Sequence, residues 1–360
     1  MKGLAKSAVM AVALVIPILA SATPASALSI TMIGASGNMA GAVNRGPSYS
    51  LYYNYQAIGR PKWKNVEVAG PDTTYAQRSS AQIGSSLVIV AQGADNSLDS
   101  YWHTIDSGSQ TWTLEQVAGT DTTYAAPWIA EIGNSAVIVA QGASDSLDAY
   151  SQTIGSTTWT PVQVAGSDTT YAAPSVAQIG NTAVIAAKGH HNTLDAYSQT
   201  IGTATWALAQ VAGSNTTYSI AAIAQVGNSA LIAAVGSDSS LDAYSQSIGT
   251  TTWTLAQLAG ADTTYWYPSV AEVGGNAVVA ATGPTDSLDE YVQTSGSTTW
   301  TPSQVAGADT TYSFPSVAQV GNNTVIVLQG PDYNYMAYCQ TIGATTWNAE
   351  LIGGPAKKKT

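Results

Sequence analysis

Thr193-Leu194-Asp195-Ala196-Tyr197-Ser198-Gln199-Thr200-Ile201-Gly202 repeats, almost letter for letter, the earlier stretch Ser146-Leu147-Asp148-Ala149-Tyr150-Ser151-Gln152-Thr153-Ile154-Gly155. The copying runs the length of the chain. Trp63, Trp112, Trp159, Trp206, Trp253, Trp300 and Trp347 are spaced by 49 residues once and then by 47 five times. Self-similarity at such a period marks a solenoid, a propeller or an array, so fold and function are both read per repeat.

Within one unit, Ser175-Val176-Ala177-Gln178-Ile179 is a short apolar segment ended by Gly180-Asn181, and Ala183-Val184-Ile185-Ala186-Ala187 follows and stops at Gly189. A two-residue Gly-Asn connection between β-branched runs predicts a hairpin. From Leu194 to Thr200 the chain alternates Leu, Ala and Ser on one side with Asp, Tyr and Gln on the other, and Thr205-Trp206 opens a fourth strand running to Val211. The second strand is small and apolar on both faces, so it needs cover on both sides, as in a blade wedged between neighbours. Runs of about five residues bounded by glycine exclude helical repeats. The linkers, such as Val164 to Tyr171, suit a chain travelling from the outer edge of one blade to the inner strand of the next. Residues 29–70 supply a first unit and 315–353 a seventh. The expected fold is an all-β, seven-bladed β-propeller with four antiparallel strands per blade. Blade 1 should close beside blade 7, each made from one end of the chain.

The rest of the chain narrows the function. Lys2 and Lys6, an apolar run from Ala8 to Ala20, and Ala25-Ser26-Ala27 form a secretory signal cleaved after Ala27, which predicts a soluble protein outside the cytoplasm. The run is too short for a membrane span, and no membrane partner is expected. The propeller occupies residues 28–354 and Lys357, Lys358 and Lys359 mark a basic tail over 355–360, leaving no room for a separate catalytic domain. A formal charge of −11, with charged residues only 9% of the chain, lacks the basic footprint that nucleic acid requires. Cys339 is the sole cysteine, in a slot that Ser151, Ser198 and Ser245 hold elsewhere, and reads as an inert small residue on a packed strand, with a reactive thiol or an intermolecular bridge as the alternative.

Pro-Ser-Val-Ala-Gln-Ile-Gly-Asn, a Val/Ile strand to Gly, then Ser-Leu-Asp-x-Tyr and Thr-Thr-Trp together resemble the PLL-like β-propeller family, repeat proteins of bacteria that include seven-bladed fucose-binding lectins. The resemblance covers residues 29–353. It implies recognition of glycans, fucosylated or methylated sugars among them, in pockets between adjacent blades and without catalysis. It also implies an aromatic at the fourth position after the third-strand leucine. Tyr55 and Trp102 supply one; Ser151, Ser198, Ser245, Val292 and Cys339 replace it in the later repeats.

Each candidate site residue has a ligand reading and a scaffold reading. The recurring tryptophan offers a face to a pyranose and an N–H donor, or anchors the outer strand between blades. Asp99, Asp148, Asp195, Asp242 and Asp289, with Gln152, Gln199, Gln246 and Gln293 on the same strand face, are equipment for gripping sugar hydroxyls. The aspartates also suit a turn in which a carboxylate accepts backbone N–H bonds. Tyr124, Tyr171 and Tyr218 end Asp/Asn-Thr-Thr-Tyr loops that either contact sugar or fix the crossing. No Asp-x-Asp-x-Asp spacing exists for Ca²⁺, and His190-His191 lacks further ligands for zinc, so neither metal nor cofactor is expected. Sialidase-type propellers gather three arginines on the substrate carboxylate; this chain has only Arg45, Arg60 and Arg78, all near repeat 1, and the sequence alone does not make them such a triad. Repeated aspartates in equivalent slots build copies of one environment, whereas acid and base catalysis needs two. A secreted lectin is the expected function, with a protein-interaction scaffold as the competing class.

Overall fold

The computed structural model describes residues 31–33, 39–57, 62–105 and 111–353. The signal segment, Arg60 and the basic tail lie outside these residues. The chain forms seven four-stranded antiparallel sheets, each ordered first to fourth strand in sequence order. They span residues 31–69, 79–118, 128–165, 175–212, 222–259, 269–306 and 316–353, here blades 1 to 7. Each first strand contacts the first strand of the next blade around the axis, and the ring closes where Thr31–Ile33 meets Ser316–Val320. Among the described residues no strand is exchanged between the ends, as the repeat phase predicts.

The packing follows the alternation in the sequence. In blade 4 the five central residues of Thr182–Lys188 are buried. On the third strand, Leu194–Thr200, Leu194 and Ala196 pack with Ile223, Ile232 and Tyr244 of blade 5, while Tyr197 turns the other way into Val137, Val139 and Ala149 of blade 3. Every third strand therefore serves two interfaces. Burying a leucine such as Leu194, fully covered here, contributes about 1.5–3 kcal/mol. The fourth strand is the exposed rim, with Leu114, Leu208 and Leu255 more than half open.

The two faces of the ring are stitched differently. On the lower face, where the first hairpin turns, Gly133 N–H donates to Gln178 Oε1 of the next blade at 2.7 Å, and Gly180 N–H to Gln225 Oε1 at 2.7 Å. Gly84 and Gly227 donate instead to the carboxylates of Glu131 and Glu272, at 2.6 and 2.8 Å. On the upper face the crossing loop hangs on the preceding blade's second hairpin, with Thr169 and Thr170 N–H both donating to Asp145 C=O. Asp72, Asp121, Asp168, Asn215, Asp262 and Asp309 of these loops all adopt the left-handed region, at φ of 55 to 61°. Aspartate and asparagine are the ordinary side chains that tolerate it, which accounts for the one exchange of Asp for Asn.

Candidate functional site

Pockets recur between blades on the lower face. Between blades 3 and 4 a cavity of about 280 Å³ is lined by Ser151 of blade 3 and by Gln199, Ile201, Gly202 and Trp206 of blade 4. Between blades 4 and 5 a cavity of about 330 Å³ is lined by the equivalent Ser198, Gln246, Ile248, Gly249 and Trp253. A third, of about 350 Å³ between blades 6 and 7, has Val292, Gln340, Ile342, Gly343 and Trp347 in those positions. Alternation produces the set. Ser151 faces forward and Gln199 backward from successive third strands, so each pocket takes one residue type from each neighbour. The tryptophans precede the fourth strand and are half-buried, leaving part of each indole on the cavity wall.

Gln199 and Gln246 make no side-chain hydrogen bond among the described residues, and the Trp253 N–H is buried without an acceptor there. These are donors and acceptors beside an apolar ring, in a cavity of about the size a small ligand occupies. The 3/4 and 4/5 linings contain no carboxylate among the described residues. The 6/7 lining does: Glu290 is buried at 5% exposure, burial raises its carboxyl above the ordinary range, and Ser303 Oγ donates to it at 3.2 Å. The interface between blades 5 and 6 carries Ser245, Gln293 and Trp300 at the matching positions.

At other interfaces the described residues in these positions have partners. Between blades 2 and 3, Trp102 occupies the serine position, 6.3 Å from Trp159, with its N–H donated to Ser100 Oγ at 3.1 Å. Gln152 is buried there, and its amide donates to Glu115 Oε2 at 3.1 Å. Between blades 1 and 2, Tyr55 stacks on Tyr53 at 5.5 Å and lies under Lys64 Nζ. At the closing seam Glu350 accepts from Gln56 Nε2 at 3.0 Å and from Trp63 Nε1 at 3.3 Å. Cys339 sits in the same seam as a free thiol, raised to about 11 by burial, with Glu350 adding to the shift.

The aspartates lie elsewhere. Asp148 and Gln152 share a strand face, but four residues of extended chain place them ~13 Å apart, toward opposite faces of the ring. A bulge in the fourth strand lies beside each aspartate: Leu147 pairs with Ala165 and Asp148 with Gln163, leaving Val164 out. Asp148 accepts from Ser146 Oγ at 2.9 Å, Asp195 from Thr193 Oγ1 at 2.9 Å and Asp289 from Ser287 Oγ at 3.0 Å. Asp99 and Asp242 accept likewise from Ser97 and Ser240. A Cβ at Gly142 would collide with Asp148 Oδ2, so the glycine that opens this hairpin is required by the carboxylate's close approach. Burial raises all five carboxyls, partly offset by the hydroxyl donor. Tyr124 and Tyr218 are exposed and Tyr171 is half-buried on the upper face, where their hydroxyls donate to Asp121, Asn215 and Asp168 respectively. His190 and His191 sit in an upper hairpin with the Tyr171 hydroxyl 2.9 Å from His190 Nδ1. Among the described residues no three His, Cys, Asp or Glu gather to hold a metal.

Reading the sequence by itself did not single out Gln340, nor the carboxylates Glu115, Glu290 and Glu350. The last three depart from the repeat, standing where other units have Val162, Ala209 or Ala196, and that departure is the signal available in the sequence.

No protein-family model matches the sequence, and none of the curated proteins does. Solved structures do. The BP39L lectin from Burkholderia pseudomallei superposes with a TM-score of 0.81 at 13% identity, over 92% of this chain and 100% of that one. The SapL1 lectin, solved with alpha methyl fucoside, gives 0.58 at 13% identity over 78% and 96%. The six-bladed lectin from Aleuria aurantia, described with a fucose recognition mode, gives 0.56 at 13% identity over 92% and 97%. The likeness to lectin propellers expected from the repeat motifs thus holds at the level of the fold.

Proposed function

We propose that this chain is a secreted, non-catalytic carbohydrate-binding protein whose sugars seat between blades on the lower face. The observation that carries the reading is the repeated pocket in which a tryptophan wall meets a glutamine amide with no hydrogen-bond partner among the described residues. The indole covers the apolar face of a pyranose, and the amide and the serine hydroxyl meet its hydroxyls. Secretion rests on the N-terminal signal pattern. Glycosidase chemistry uses a pair of carboxyl groups across one bond, and the open pockets hold one at most among their described residues. The lectins of like fold that bind fucose make fucosylated and methylated sugars the first ligands to try. Weak sites repeated around a ring gain by avidity of ~10²-fold or more when a glycan surface reaches several at once. The test is a glycan array read with the purified protein. Binding confined to a sugar class, and competed by the free monosaccharide, is the expected result. Silence across the array would assign the ring to the scaffold class, in which the ties at Glu115 and Glu350 would be the general role of these positions.

A further inference from the structure

Two of the three arginines meet far from the inter-blade pockets. On the upper face, where the crossing loops converge on the axis, a cavity of about 440 Å³ is lined by Arg45, Arg78, Gln77 and Trp266, with alanines such as Ala126 and Ala173 between them. The repeat is broken here, most sharply at Arg78 and Trp266. Arg78 stands where other units have Pro127, Pro174, Ala221, Pro268 and Pro315, and Trp266 where they have Ala76, Ala125, Ala172, Ser219 and Ser313. Small side chains on blades 2 to 4 leave the mouth open, and a large aromatic from blade 6 walls its far side.

The charge in this mouth is costly. Arg78 is 3% exposed, and burial pulls its guanidinium down to about 9; Tyr335 and Tyr267 oppose the shift, while Arg45 adds to it. Both guanidiniums line this cavity, and a carboxylate seated in it would be attracted by each. A guanidinium fork matches a carboxylate in two parallel hydrogen bonds, which sets this chemistry apart from that of neutral hydroxyls. The half-buried indole of Trp266 supplies a face for the body of a ring. A cavity of this volume accepts a monosaccharide-sized molecule.

We propose that the axial mouth is a single-copy site for a small sugar acid, its carboxylate held by Arg78 and Arg45 and its ring laid against Trp266. The site is independent of the inter-blade pockets. With a net charge of −11, and with Asp72 and Asp95 acting on the neighbouring Tyr75, long-range steering favours no anion, so affinity comes from contact within the mouth.

Calorimetric titration of the full chain with glucuronate, glucose and acetate tests it. One glucuronate per chain should bind, with glucose and acetate each weaker by about tenfold or more, because one lacks the charge and the other the ring. Arg78→Met should weaken glucuronate by at least about tenfold, and Gln199→Ala, in the 3/4 pocket, should leave it unchanged. If Arg78→Met does not fold, Arg45→Met and Trp266→Ala carry the test with the same expected direction. Absence of binding at roughly millimolar glucuronate, equal affinity for glucose or acetate, or full affinity in the arginine variants would each overturn the proposal. Loss of glucuronate binding in Gln199→Ala would move the sugar acid to the inter-blade pockets and overturn it too.

Discussion

The seam between blades 7 and 1 and the interface between blades 3 and 4 are built from matching positions and finish differently. At the seam the outer strand carries Glu350, which takes hydrogen bonds from both the glutamine and the tryptophan of the following blade. At the 3/4 interface the same position is Val162, so Gln199 and Trp206 face an open cavity. A carboxylate thus turns the glutamine and tryptophan into an internal clasp; an aliphatic side chain leaves them available. The 2/3 interface follows the seam for its glutamine alone, Glu115 accepting from Gln152 while the Trp159 N–H has no acceptor among the described residues, and the 4/5 interface follows the open form through Ala209. Between blades 6 and 7 the carboxylate moves one strand inward, to Glu290 opposite Ser303, and the cavity persists.

The strongest way to break this contrast is to remove the clasp. Glu350→Ala leaves donors of Gln56 and Trp63 without their acceptor and should cost about 1–3 kcal/mol in urea melts, whereas Gln199→Ala should stay within about 0.5 kcal/mol. Equal costs would mean that the two interfaces do not differ in the way described. The converse change is Val162→Glu, which brings the seam's carboxylate to the open interface. It should tie up Gln199 and weaken sugar at that pocket by about tenfold, with one site fewer in the titration and no loss of fold. Unchanged stoichiometry would show that Gln199 contributes nothing to ligand.

The smallest effect separates the aspartates from the pockets. Burial raises Asp195 and its four equivalents, so each holds its proton to higher pH in the folded chain than in the unfolded one. Their contribution to stability is therefore fullest below the ordinary carboxylate pKa and declines as pH climbs from that value through the raised one. Asp195→Asn still accepts from Thr193 and cannot ionise. It should flatten its share of that decline in melts across the acid range, and change stability at neutral pH by no more than about 0.5 kcal/mol, upward if at all. A large drop in sugar binding in this variant would return the aspartates to the site.

The fold was legible because the information is local and copied. Trp206 and its six equivalents give the blade count, Gly180-Asn181 the hairpin, and the two-sided apolar run Ala183 to Ala187 the wedged second strand. The site was legible only in its ingredients. Alternation correctly puts Asp148 and Gln152 on one strand face, but says nothing of the length that separates them or of the Ser146 hydroxyl that ties the aspartate to its own hairpin. Which side chain meets Gln152 is decided across the interface, by the position of Glu115 on another blade, 37 residues away in sequence. Packing between blades sets that register, and no period along one strand encodes it. The axial mouth was hidden for a related reason: Arg45 and Arg78 lie in different repeats and meet only because both approach the axis.

The central claim is that open interfaces, not clasped ones, take sugar. Calorimetric titration with alpha methyl fucoside of the natural chain, of Gln199→Ala and of Gln199→Ala with Gln246→Ala measures it most directly. The account predicts fewer than seven sites, and the loss of one site and then a second across the two variants, with the melting profile unchanged. Binding of unaltered stoichiometry in both variants, or the loss of sites on changing Gln152 at its clasped interface, would contradict it.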